Sequence, residues 1–372
     1  MPDVSPSTMP VTAAAVSQGA GASDLLRIIA ITRKPESASF EQRVTHYVPH
    51  LAAMGIEVVS RTLPSSLRGQ WKLMNEVGSK QDGQRKQFDM VWWHRHMLSG
   101  VMRGKLRRQG LPVVFDFDDP LPFSSQTNTI SASRSSRFAS FLKTCSACLP
   151  ASDYLQELAL PYCDVAPIVP MGIDLPDASV LRSGGVDATL GVVELLWLGG
   201  KSTQVYLEEL RGPLEQLAAA RPGRVKLRLV AHEPMTFGAL PVDFRKWSFK
   251  EQEDSLRECP VGLCPMPQTP WTQGKCPFKV LQYMAYGQPW VGSAVGANLV
   301  SAGRADSNTQ RGLCAADSTQ WFSHLLKLVD DAALRLTMGD AGRAYAAQAH
   351  DRVALAHKLA GIFRQVVQAG PR

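Results

Sequence analysis

The chain alternates compact apolar runs with amphipathic stretches. LLRIIAI (25–31), IEVVS (56–60), FDMVWW (88–93) and LPVVFDF (111–117) have the length and residue types of buried strands. ACLPAS (147–152) and APIVP (166–170) read as two shorter strands around a helix from Asp153. SFEQRVTHYVPHLAAMG (39–55) sets Val44, Tyr47, Val48 and Leu51 at helical spacing and stops at Gly55, a residue suited to a C-cap. MLSGVMRGKLRRQG predicts a basic helix between the third and fourth strands.

The second half starts the pattern again. VVELLWL (192–198), VKLRLVA (225–231), VGLCPM (261–266) and PWVGS (289–293) are strands. STQVYLEELRGPLEQLAAA is a helix that Pro213 kinks or divides. An apolar helix runs from near Pro277 to Gly287, and WFSHLLKLVDD and AALRLTMGDAGRAYAAQAH follow as helices. In DRVALAHKLAGIFRQVV, Leu355, Leu359, Ile362, Phe363 and Val366 share one face.

Strands alternating with helices predict an α/β fold of two doubly wound, mostly parallel sheets. Residues 176–191 have no apolar period, and Gly184-Gly185 breaks any element, so they read as a linker. The expected organisation is a disordered tail (1–24), an N-terminal domain (25–175), the linker (176–191) and a second domain (192–350). The final helix (351–372) is expected to pack back on the N-terminal domain. Ligands of open α/β sheets sit beyond the carboxyl ends of the strands, which directs attention to an interdomain cleft.

Composition adds few constraints. The 372 residues are 45% hydrophobic and 20% charged, and no run approaches the ~20 apolar residues of a spanning helix. The N-terminus lacks the basic start and apolar centre of a secretory signal. Seven cysteines without a dense framework suit a reducing cytosol. Cys145 and Cys148 form a C-x-x-C with no second pair at zinc-ribbon spacing, so small buried side chains on a helix before a strand are the plainer account.

The formal charge is +7, and the excess is local. Residues 61–108 hold eleven Lys/Arg against Glu76, Asp82 and Asp89. Such a face attracts a polyanion, either nucleic acid or an anionic membrane, or is simply solvated. Few aromatics interleave with the basic residues and no RNA-binding motif is present, which argues against nucleic acid.

Three motifs lie at predicted strand ends. WLGGKST (197–203) joins a strand to a helix. Gly199 and Gly200 allow close backbone approach, Lys201 adds charge, and Ser202 and Thr203 add hydroxyls, which together suit a phosphate. P-loop spacing would need a glycine at Leu195, so that pattern fails. A plain turn with Ser202 as N-cap is the alternative. FDFDDP (115–120) brings Asp116, Asp118 and Asp119 together. They could hold a divalent metal through phosphates, accept hydrogen bonds from sugar hydroxyls, or cap a turn.

The third motif is GKCPFKVLQYMAYGQPW (274–290). Lys275 and Lys279 are one helical turn apart, and Gln282 lies three residues beyond Lys279. A helix N-terminus already favours anions, so two lysines there point to a diphosphate, with Gln282 placed for a ribose. Arg43, His46 and His50, and the pair His94 and His96, are weaker candidates. No H-E-x-x-H or nucleophile-triad spacing occurs.

These stretches resemble the family-four retaining glycosyltransferases of GT-B fold. KCPFKVLQYMAYGQPWVGSAVGAN resembles their signature, WLGGKSTQVYLEEL the start of their C-terminal domain, and LVDDAALRLTMGDAGRAY their helical stretch. VVFDFDD and FDMVWWHRH resemble the N-terminal domain of one subgroup. The resemblance implies a nucleotide-sugar donor on the C-terminal domain and a glycan or lipid-linked acceptor against the N-terminal one. It places Gly200, Lys201 and Ser202 on the phosphate loop, and Lys275 and Lys279 near the diphosphate. Gln282 falls on the second acid of the Glu-x7-Glu motif and Gly274 on the first. Asp118 falls near the N-domain histidine close to the reacting sugar.

The implied roles are catalysis for Asp118, Lys201 and Lys279. Donor binding is implied for Gly199, Gly200, Ser202, Thr203, Gly274, Lys275 and Gln282, and acceptor contact for Asp116, Asp119 and Arg43. Cationic groups supply what a metal would, so neither metal nor cofactor is expected. The expected setting is cytoplasmic, with the basic stretch 61–108 as the part that would dock the enzyme on the inner face of the cytoplasmic membrane. Gly274 and Gln282, and the lack of the loop arginine, depart from the family pattern. They leave open a degenerate partner subunit, and an epimerase of the same fold is a second alternative.

Overall fold

The computed structural model describes residues 25–372 apart from 82–84, 125–126, 128, 181–190 and 306. The expected tail (1–24) and most of the expected linker lie outside the described residues.

The N-terminal half contains β1 (Leu26–Thr32), α1 (Ala38–Arg43), α2 (Val48–Ala53), β2 (Ile56–Thr62), α3 (Leu67–Val77) and a short hairpin of β3 (Lys80–Gln81) and β4 (Arg85–Lys86). It continues through β5 (Met90–His94), α4 (Gly100–Arg107), β6 (Val113–Phe117), α5 (Ala132–Leu142), β7 (Ala147–Pro150) and α6 (Asp153–Ala159). The sheet is parallel with order β2-β1-β5-β6-β7. Strands β1, β5, β6 and β7 are buried almost throughout, as a sheet covered on both faces requires. One layer contains α3, α4 and α5, through Leu73, Met74, Met102, Leu106, Phe138 and Phe141. The other contains α1 and α2, joined by the last helix of the chain.

The C-terminal half contains β8 (Val193–Leu198), α7 (Lys201–Gln204), α8 (Arg211–Ala220), β9 (Val225–Ala231), β10 (Val242–Lys246), α9 (Phe249–Glu258) and β11 (Val261–Cys264). Then come α10 (Pro270–Gln273), α11 (Phe278–Ala285), β12 (Trp290–Ser293), α12 (Ala297–Ala302), β13 (Gly312–Ala315), α13 (Ser318–Asp330), α14 (Ala332–Ala349) and α15 (Arg352–Ala369). Its sheet, also parallel, has order β10-β9-β8-β11-β12-β13. The architecture is therefore the expected pair of parallel-sheet α/β domains.

Several local expectations need correction. The helix predicted over 39–55 is broken: α1 ends at Arg43, a 3-10 turn spans Thr45–Tyr47, and α2 restarts with Pro49 in its first turn. Pro fits there because a first-turn N–H has no intrahelical acceptor to lose. Residues 166–170 form no strand. Cys145 lies in the turn after α5 and Cys148 on β7, so neither is on a helix. The helix predicted from Ser202 is divided upstream of Pro213, with a 3-10 segment over Val205–Leu210.

Two chain crossings tie the halves together. Ile173 donates to His350 and accepts from Arg352 through backbone bonds of 2.8 and 3.2 Å. The Arg352 guanidinium reaches Asp174 at 2.7 Å and the Gln42 side chain at 2.9 Å. Helix α15 then seats Leu355, Leu359 and Phe363 in the N-terminal core, with Phe363 edge-on to Trp92 at 5.0 Å. Gly274 and Lys275, beyond β11, thereby come against Pro120 and Asp118, beyond β6.

Candidate functional site

The C-terminal wall is built on α11. Tyr283 fixes that helix: its hydroxyl donates to Leu196 O (3.3 Å) on β8 and Leu263 O (3.0 Å) on β11. The ring lies so close to Gly262 that a Cβ there would sit 2.3 Å from it. One turn earlier, the Lys279 ammonium is 3.2 Å from Thr203 Oγ1 and 4.8 Å from the centre of the Trp197 ring. A Cβ at residue 199 would lie 2.8 Å from both Lys279 Cε and the Trp197 ring, a crowding that glycine avoids. The two predicted motifs, WLGGKST and GKCPFK, thus meet in one place.

Burial, reinforced by the like charge of Lys275, lowers the pKa of Lys279 to about 8 despite nearby Cys264. No side chain caps the first turn of α11 or of α7, which leaves N–H groups there unsatisfied. The turn therefore offers a desolvated cation and backbone donors, the complement of a buried anion.

The other predicted residues of this wall are arranged differently from the expectation. Gly200, not Ser202, is the N-cap of α7, and Lys201 and Ser202 are exposed. Lys275 lies in the turn before α11, 5.9 Å from the Tyr206 ring centre. Its pKa is lowered by burial, which outweighs the carboxylate of Asp118 across the cleft. Gln282 is buried at 6% exposure rather than presented on an open first turn.

Gly274 is where the walls touch. A Cβ there would lie 2.8 Å from Pro120 Cβ and 3.0 Å from the Tyr154 ring. A carboxylate side chain has no room at this position, which accounts for glycine where an acid was expected.

The N-terminal wall separates the three carboxylates of FDFDDP. Asp116 is enclosed, 2.8 Å from Arg43 Nε and 3.1 Å from Trp92 Nε1. Arg43 also donates to the backbone carbonyls of Val169 and Leu149 and is 1% exposed. Burial works against its charge, and the Asp116 carboxylate outweighs that, so the guanidinium stays protonated. In this structure Arg43 and Asp116 serve each other, so the expected acceptor contact is not available to either. Asp118 and Asp119 instead meet Arg95: its Nε lies 3.4 Å from Asp118 Oδ1, and its guanidinium hydrogen-bonds Asp119.

Burial raises the pKa of Asp118, but the positive charges of Arg95 and Arg43 hold the carboxyl below its usual value. Asp118 Oδ1 is buried without a hydrogen-bond partner. Arg95 was missed by sequence reasoning. Its φ of 58° turns the side chain back over the end of β6, an unfavourable backbone state for a non-glycine residue. A basic residue directly after the strand FDMVWWH was the available signal.

His94 lies between Thr32 Oγ1 (3.1 Å) and Ser39 Oγ (3.0 Å), and burial lowers its pKa to about 3. It is a neutral packing element of this wall. His46 and His50 are half-buried, and His46 pairs with Glu41 at 3.3 Å.

No protein-family model matches the chain, and no curated protein sequence does. Solved structures do match. Sucrose-phosphate synthase from Thermosynechococcus elongatus is 16% identical, with 92% of this chain and 100% of that chain covered at a TM-score of 0.68. An α,α-trehalose-phosphate synthase (UDP-forming) from Burkholderia vietnamiensis is 14% identical, covering 93% and 98% at 0.65. Anabaena HepE in complex with UDP and glucose is 13% identical, covering 91% and 100% at 0.64. At these identities the likeness establishes architecture, and over nine-tenths of its length the chain has the two-domain GT-B fold of these glycosyltransferase structures.

Proposed function

We propose that the protein transfers a sugar from a nucleotide-diphosphate sugar to a glycan or lipid-linked acceptor, with retention of anomeric configuration. The observation that carries this reading is the Lys279 ammonium beside Gly199 and Thr203 at the carboxyl end of β8. A desolvated cation at that point of a GT-B cleft suits a diphosphate leaving group. The HepE structures with UDP and with UDP-glucose make a uridine nucleotide the first donor to test.

In the reaction the bond between the anomeric carbon and the diphosphate oxygen breaks, and its electron pair leaves with the nucleotide. The acceptor oxygen bonds to the same face of that carbon and passes its proton to the departing phosphate. Charge grows on the phosphate, and Lys279, Lys275 and the first-turn N–H groups of α11 stabilise it. Asp118, ionised and with Oδ1 ion-paired to Arg95 but not hydrogen-bonded, accepts a hydrogen bond from a sugar or acceptor hydroxyl. The protein acts where such acceptors are made, at the cytoplasmic side of a membrane.

The test is NMR of UDP-glucose incubated with the protein, alone and with candidate acceptors. Transfer predicts acceptor-dependent release of UDP and a new glycosidic signal of retained configuration. Conversion of the donor alone into an isomer would make the protein an epimerase. Donor binding with no turnover on any acceptor would favour a non-catalytic subunit.

A further inference from the structure

Helices α3 and α4 lie side by side on the N-terminal domain, and both begin at the carboxyl edge of its sheet. Leu67, the first residue of α3, is 66% exposed, and Val101, the second of α4, is 69% exposed. Trp71, one turn into α3, is 43% exposed. The Lys105 ammonium from α4 rests 4.7 Å from the centre of the Trp71 ring. Arg68, Lys72, Arg107 and Arg108 are exposed, and Arg103 is half-buried. The one acid on either helix, Glu76, is held by Arg61 at 2.7 Å.

A face that is only solvated has no need of three large apolar side chains at its rim. A nucleic-acid face would use the charge but not Leu67 or Val101 at the helix starts. Basic side chains around an exposed tryptophan and aliphatic tips match the lipid headgroup layer.

We propose that α3 and α4 form a docking face for an anionic phospholipid bilayer. Leu67, Trp71 and Val101 enter the headgroup layer, and Arg68, Lys72 and Arg107 contact lipid phosphates. The consequence for catalysis rests on the transferase reading: the cleft rim is brought to the membrane plane, where a lipid-linked acceptor resides.

The experiment is co-sedimentation of the full chain with vesicles of phosphatidylcholine, with and without roughly one-third phosphatidylglycerol. Binding is expected only with phosphatidylglycerol, and should weaken strongly between about 0.05 M and 0.5 M salt. Leu67→Glu/Val101→Glu and, separately, Arg68→Glu/Lys72→Glu should each lower partitioning about ten-fold. Circular dichroism should be unchanged, as should the melting shift with UDP-glucose, which separates loss of docking from loss of the donor site. Absence of binding, equal binding to both vesicles, insensitivity to either variant, or displacement of the vesicles by a short oligonucleotide would each overturn the proposal.

Discussion

The Lys279 ammonium stands 3.2 Å from Thr203 Oγ1, joining the first turn of α11 to the turn after β8. Within the protein its partners are one hydroxyl and one indole face, and the like charge of Lys275 works against it. A diphosphate bound there, as proposed, would restore what burial removes.

The proposed role of Lys279 predicts a pH-dependent nucleotide affinity. Free Lys279 loses its proton near pH 8, and a bound diphosphate holds the proton on. Binding above that pH therefore takes up a proton, and affinity falls as pH rises through about 8, approaching ten-fold per unit. Titration calorimetry of UDP from about pH 7 to 9.5 in buffers of different ionisation enthalpy checks both slope and proton uptake. A flat profile would remove Lys279 from the phosphate contact.

Closure of the cleft at Gly274 gives a steric prediction. A glutamate there meets Pro120 and Tyr154, so Gly274→Glu should hold the domains apart. Small-angle scattering should show a larger radius of gyration, and transfer should slow at least ~100-fold because the reacting groups are displaced. Unchanged scattering with full turnover would show that the walls need not meet.

The Arg43–Asp116 pair gives a prediction about stability. Asp116→Asn leaves a buried guanidinium without its counter-charge, at a cost of about 3–5 kcal/mol in urea unfolding. UDP affinity should stay near the wild-type value. A variant of native stability that has lost only acceptor turnover would return Asp116 to an acceptor role.

Most of the fold could be read from the chain because buried parallel strands are near-continuous apolar runs, as in MVWWH and VELLWL. The strands β10 and β13 were missed. VDFRK is half-exposed and polar, and GLCA is too short to stand out. At the site, the meeting of WLGGKST with GKCPFK was legible because both motifs lie at strand ends of one sheet. What sequence could not give was which member of each motif turns inward. Lys201 and Lys279 look alike in sequence, yet Lys201 is exposed while Lys279 is half-buried over Trp197. Likewise FDFDDP reads as one acidic cluster, and only the distant partners Arg43 and Arg95 divide it.

The central claim is that Lys279 is held desolvated to receive a diphosphate. The direct test is a melting-curve screen of wild type and Lys279→Met against UDP-, GDP-, dTDP- and ADP-glucose. An unfolded lysine keeps its proton up to its ordinary value of 10.5, whereas folded Lys279 releases it near 8. The free protein therefore carries a penalty below pH 8 that fades as pH rises toward 10.5, on the order of 3 kcal/mol at pH 7. The account predicts that at least one nucleotide-sugar raises the wild-type melting temperature, and that Lys279→Met melts higher without ligand and responds to none. A variant that melts lower, or that keeps the wild-type response, would contradict it.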